Sequence, residues 1–124
     1  MKWFILLMGW LVVIPTLAQT SWTNRYNGPA NSGDYAQSVV VDGSGNVVVT
    51  GYSYGAGSGL DYYTAKYAAA DGALIWEKRY NGPANSADQA QSVVVDGSGN
   101  VVVTGHSYGA GSGSDYYTAK YASA

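Results

Sequence analysis

The chain has no cysteine and a single histidine in 124 residues. The first absence removes a disulfide framework, a lipid-carrying cysteine, thiolate chemistry and any cysteine zinc site, so packing alone must stabilise the fold. Charge is sparse as well: 6 Lys and Arg stand against 8 Asp and Glu, for a net charge of −2. A polyanion needs clustered cations to neutralise its phosphates, and the one adjacent basic pair, Lys78-Arg79, sits beside Glu77. This argues against nucleic acid as a partner. The longest apolar run, Trp3 to Ile14, has 12 residues where a stable membrane span needs about 20. Outside that run no window has helical spacing.

What is there begins with that run. It follows Lys2 and is succeeded by Pro15 and Thr16-Leu17-Ala18, the pattern of a secretory signal with small residues suited to cleavage after Ala18. Residues 1–18 are therefore expected to form a cleaved signal helix. The mature chain, 19–124, is expected to be secreted, periplasmic or held at the cell surface.

The remainder repeats itself. Trp22 to Ala70 laid over Trp76 to Ala124, an offset of 54, matches at 42 of 49 positions. The differences are Thr23/Glu77, Asn24/Lys78, Gly33/Ala87, Tyr35/Gln89, Tyr52/His106, Leu60/Ser114 and Ala69/Ser123. A fixed period of this size points to a solenoid, a propeller or a similar array. Within each repeat, short runs rich in Val and Tyr are separated by turn residues. The first repeat predicts an inner strand Ala36 to Val41, a second Asn46 to Tyr52, a third Tyr62 to Tyr67 and an outer Ala73 to Tyr80. Asp42 to Gly45 and Asp71-Gly72 read as tight hairpin turns.

The triple valines Val39–Val41 and Val47–Val49 place branched side chains on both faces, which predicts central strands covered on both sides. The charges of the outer run suit an exposed edge. A small four-stranded antiparallel sheet of this kind is a propeller blade, so the expected fold is all-β with two blades of propeller type. A solenoid coil would have a shorter period, and a sandwich needs no near-identical copies.

Four blocks then carry a family resemblance: Asp88 to Asp96, Gly99 to Gly105, Asp115 to Tyr121 and Trp76 to Gly82. Together they resemble the bacterial β-propeller repeat known as SBBP, and the similarity covers nearly all of residues 19–124. The resemblance implies secreted or surface proteins built of longer arrays, and it implies no catalytic residues.

The phase of the repeat matters. Trp22 to Asn27 matches the outer segment Trp76 to Asn81, so an outer-type strand at 22–27 precedes repeat one (34–81) and an incomplete repeat two (88–124). Two blades cannot close a propeller of typically 4 to 8. Either three or four chains join by strand exchange into a six- or eight-bladed ring, or the chain is a truncated piece of a longer array without independent function.

Long loops on a rigid scaffold are where binding concentrates, and Asn27 to Tyr35 and Ser53 to Leu60, with their copies, are the expected loops. Tyr35, Tyr54, His106 and Tyr108 are the candidates there to cover a sugar ring or a peptide. Chemistry is harder to find. Gly105-His-Ser-Tyr-Gly109 fits the nucleophile elbow of esterases, but no helix follows and the only histidine lies inside the motif. Asp42 to Asn46 and Asp96 to Asn100 open like a calcium loop, yet Val47 and Ser53 stand where Gly and Glu belong, and hairpin chemistry explains them without a metal. Gly55 to Gly59 lacks the lysine and helix of a phosphate loop. Asp34/Asp88 and Asp61/Asp115 could pair as acid and base, but Asp also fixes loop ends. The expectation is a non-enzymatic binding or structural module for a glycan or protein, with no cofactor or metal, and with a loop-face hydrolase as the alternative from another class.

Overall fold

A computed structural model describes residues 21–123; the expected signal helix lies outside the described residues. No helix among the described residues is long and apolar enough to cross a membrane. Among the described residues seven strands form: β1 (Asp34–Val41), β2 (Val47–Gly55), β3 (Gly59–Tyr67), β4 (Leu74–Tyr80), β5 (Asp88–Val95), β6 (Val101–Gly109) and β7 (Gly113–Tyr121). They pair antiparallel in chain order into one sheet of four strands, β1 to β4, and one of three, β5 to β7. The fold is all-β, in two sheets that do not close into a propeller.

Turn chemistry sets the register. Asp42 N–H and Asn46 C=O close the β1–β2 hairpin at 2.9 Å, with Gly45 at φ +82°, a conformation a side chain would strain. The expected long loop at Ser53 to Leu60 is corrected. Pairing runs on to Gly55 opposite Gly59, and only Ala56-Gly57-Ser58 turn the chain. Gly57 and Gly59 take positive φ, which lets a glycine-rich stretch close a tight hairpin where composition suggests slack.

Two further expectations are corrected. The inner strand β1 is an edge of its sheet, not a central strand; Val40 on one face packs against the core, while Val39 and Val41 on the other are 63% and 59% exposed, since no sheet covers that face among the described residues. Residues 22–27 form no strand. They find no strand partner among the described residues and are held by side chains instead: Trp22 Nε1 donates to Ala69 O at 3.1 Å and Asn24 Nδ2 to Gly72 O at 3.0 Å.

The core lies between the sheets. Val48 and Tyr62 from one sheet meet Ala90, Val93, Val101 and Val103 from the other, all buried. Alternation along the strands separates two faces on each sheet. The face of the first sheet that carries Tyr62 covers the face of the second that carries Tyr117 and Tyr121. Trp76 packs on Tyr121 at 5.9 Å, Tyr80 stacks on Tyr117 at 3.8 Å, and Lys66 Nζ donates to Ser123 O at 3.0 Å.

Candidate functional site

The opposite face of the first sheet is open and aromatic. Trp22 packs on Tyr67 at 6.3 Å, and Tyr26 stacks on Tyr63 at 3.9 Å, copying within the first repeat the contacts that β4 makes on the second sheet. Between them lies a cleft of 340 Å³ bordered by Trp22, Tyr26, Tyr35, Val49, Tyr63 and Tyr67. Burial pushes the hydroxyls of Tyr63 and Tyr67 above their ordinary range, and Glu77 beside Tyr63 adds to the effect, so both stay protonated donors.

A polar row closes one end. Ser53 stands in register between Asp34 on β1 and Asp61 on β3. Arg79 binds this row: its Nη1 donates to Asp61 Oδ2 at 3.0 Å, and its Nη2 to Ser53 Oγ at 2.8 Å and Tyr26 Oη at 2.8 Å. Asp34 Oδ2 accepts the Gly28 N–H at 2.9 Å, as Asp88 accepts that of Gly82 at 2.7 Å. Asp34 and Asp61 are thus separated by β2, and each holds a neighbouring group, Asp34 the Gly28 N–H and Asp61 the Ser58 hydroxyl and Arg79.

The second sheet has the same slot, and it is full. Tyr62 enters it from the first sheet, lying 5.5 Å from Tyr117 and 5.8 Å from Tyr80, with its Oη donating to Tyr117 O at 3.2 Å. A Cβ on Gly105 would collide with Gln89 O and come within 2.7 Å of that Oη, so the close strand pairing requires glycine there and the ring uses the space it leaves. Gly105, Tyr117 and Tyr80 are the copies of Gly51, Tyr63 and Tyr26, which border the open cleft. The open cleft is therefore bordered by the copies of residues that surround Tyr62 in the second sheet, with Tyr35 where the filled copy has Gln89.

The four residues named from sequence are not brought together, and all lie on strands rather than loops. Tyr35 opposes Tyr52, its ring 5.2 Å away, and borders the cleft. Tyr54 and Tyr108 are repeat copies, 39% and 42% exposed, near the hairpin ends. His106 opposes Gln89 and Tyr116 in the second sheet. Sequence reasoning misses the cleft residues Trp22, Tyr26, Tyr63 and Tyr67, although Trp22 and Tyr26 share the spacing of Trp76 and Tyr80.

At the other motifs, Asp42 Oδ1 accepts the Ser44 and Asn46 N–H groups, each at 2.9 Å, and its Oδ2 meets Lys66 Nζ at 2.7 Å. Asp96 repeats this with Lys120 at 2.6 Å. Turn hydrogen bonds and an ammonium thus account for the calcium-like spacing. Ser107 of the elbow-like motif lies within β6, and a hairpin into β7 follows it in place of a helix. No family model and no curated protein matches this chain.

Proposed function

We propose that this chain is an exported, non-enzymatic binding and structural module of propeller-type repeats, whose open cleft receives a tyrosine carried on the strand edge of a protein partner. The observation that carries the reading is the filled copy of the slot, in which Tyr62 supplies the ring and the hydroxyl. The SBBP-like blocks and the face-to-face stacking of two small meanders support the propeller type. The polar row at the end of the cleft supports a structural role for its groups, because Arg79 ties Ser53 Oγ and Asp61 Oδ2 to strand β4. Turnover in a screen of esterase and glycosidase substrates would refute it.

The cleft can be tested with p-cresol, the tyrosine side chain as a free molecule. The variant Tyr116→Ala should be used, since Tyr116 is the exposed copy of Tyr62 and its removal prevents this chain's own ring from competing. NMR shifts on titration should centre on Trp22, Tyr26 and Tyr63. Shifts spread over the surface, or none, refute the reading. Export itself predicts that N-terminal sequencing of the secreted protein begins at Gln19.

A second reading follows from Tyr54 and Tyr108, exposed once per sheet at the hairpin ends. Such rings suit the faces of sugars. A glycan array should register binding that Tyr54→Ala and Tyr108→Ala each weaken several-fold with the far-UV spectrum unchanged.

A further inference from the structure

The repeat makes each half of the molecule a control for the other. The pairs Tyr62/Tyr116, Val93/Val39 and Asp61/Asp115 have the same residue in both copies, yet their surroundings differ. Tyr62 is 1% exposed and Tyr116 89%; Val93 is 5% exposed and Val39 63%. Asp61 is 1% exposed and bound by Arg79, whereas Asp115 is exposed and accepts from Ser112 Oγ, at 2.6 Å, with no cation beside it among the described residues. Ser53 Oγ takes a hydrogen bond from Arg79, while Ser107 Oγ, 4% exposed, has no partner among the described residues. Arg25, the copy of Arg79, is exposed with no carboxylate partner among the described residues.

Strand β4 has two duties: its backbone pairs with β3, and its rings lie on Tyr117 and Tyr121. Residues 22–27 perform only the second, with Trp22 and Tyr26 on the first sheet and no strand partner among the described residues. Conversely, β7 has an unpaired edge among the described residues. Among the described residues, one sheet has no outer strand and one outer-type segment has no strand partner.

We propose that this chain binds a second copy of itself head to tail, residues 22–27 of one copy adding as an antiparallel strand to β7 of the other, whose Tyr116 enters the first copy's cleft. The proposal rests on the reading of the cleft as a tyrosine slot and names its occupant. The register follows from β3–β4 shifted by one repeat: Tyr116 opposite Tyr26, Tyr117 opposite Arg25, Thr118 opposite Asn24, Ala119 opposite Thr23 and Lys120 opposite Trp22. In that register Arg25 reaches Asp115 and supplies the missing partner of Ser107. Tyr116 Oη meets Tyr63 O, and Val39 comes under the face that carries Val102. Every contact is one the molecule already makes once, within its first sheet or between its two sheets.

The interface is head to tail, so copies add in one direction until a ring closes or a filament grows. Three or four copies would supply the six or eight blades of a closed propeller.

The test is expression of the full chain with its own N-terminal segment, purification, and mass by light scattering. Arg25→Asp and Asp115→Arg should each give single chains of native far-UV spectrum. Mixed together they should reassociate, because the carboxylate introduced at position 25 of the first variant then faces the guanidinium introduced at position 115 of the second, while the wild-type pair forms at the other joint. Register is read by disulfide trapping, which the absence of cysteine makes clean. Thr23→Cys mixed with Ala119→Cys should cross-link; Thr23→Cys with Thr118→Cys, one residue out of register, should not. A monomeric wild type, single variants that associate like wild type, no recovery on mixing, or cross-linking out of register overturns the proposal. A monomeric wild type whose Tyr116→Ala variant still binds p-cresol overturns the self-association alone and leaves the cleft reading standing.

Discussion

At the scale of residues, the same ion pair occurs twice in two solvents. Lys66 and Asp42 have side chains 6% exposed, while Lys120 and Asp96 are 58% and 30% exposed. Removing one partner of a buried pair leaves a charge without compensation, worth about 3 kcal/mol, whereas water screens an exposed pair. Asp42→Asn should thus lower the unfolding free energy in urea by about 3 kcal/mol, and Asp96→Asn should leave the midpoint almost unmoved. The Lys66 ammonium holds the Asp42 carboxyl down from 3.8 to about 2, helped by the Asn46 and Ser44 N–H groups against an opposing effect of burial. The unfolded chain therefore takes up more protons between those values. Stability from this pair is complete above pH 3.8 and is lost as pH falls through about 2. Acid titration followed by circular dichroism should show this loss in wild type and not in Asp42→Asn.

At the scale of elements, Tyr62 is the peg that joins the sheets. Truncating a large buried aromatic to alanine costs about 4 kcal/mol, from lost transfer energy and the cavity left behind. Tyr62→Ala should cost that much in equilibrium unfolding and separate the transitions of the two sheets, while Tyr116→Ala should leave the stability of a single chain unchanged because its ring is already in water. The strands are legible in the sequence because valine and tyrosine runs alternate with Asp-Gly and Gly-rich turns, and β1 to β4 fall within a few residues of expectation. The departures have physical causes. Composition makes Gly55 to Gly59 read as slack, but two positive-φ glycines make it a hairpin that lengthens β2 and β3. Segment 22–27 reads as a strand because it matches 76–81, yet strand state depends on a neighbouring backbone, and among the described residues only the later copy has one. For the same reason the cleft is invisible in sequence: Tyr63 and Tyr117 are the same letter, and only the covering sheet distinguishes them.

At the scale of the whole molecule, the two sheets bury one interface and leave its two complementary surfaces at opposite sides. On the proposed head-to-tail self-association, the exposed valines of β1, the aromatic cleft and the edge of β7 that is unpaired among the described residues are the two halves of one interface, so stability should rise with protein concentration. Thermal unfolding followed across a dilution series should move the midpoint downward on dilution for wild type and not for Arg25→Asp. The strict hairpin order has one more effect. The turns at 55–59 and 109–113 lie at the same end of their sheets as the loop 81–87, whose Asn85 bonds Gly57 O at 3.1 Å. Tyr54 and Tyr108 therefore share a rim, and under the proposed self-association each added copy would repeat both at a fixed spacing. A ligand with repeated epitopes would meet that rim at high effective concentration, so weak contacts at single tyrosines would sum to durable attachment through valency rather than through any one strong site.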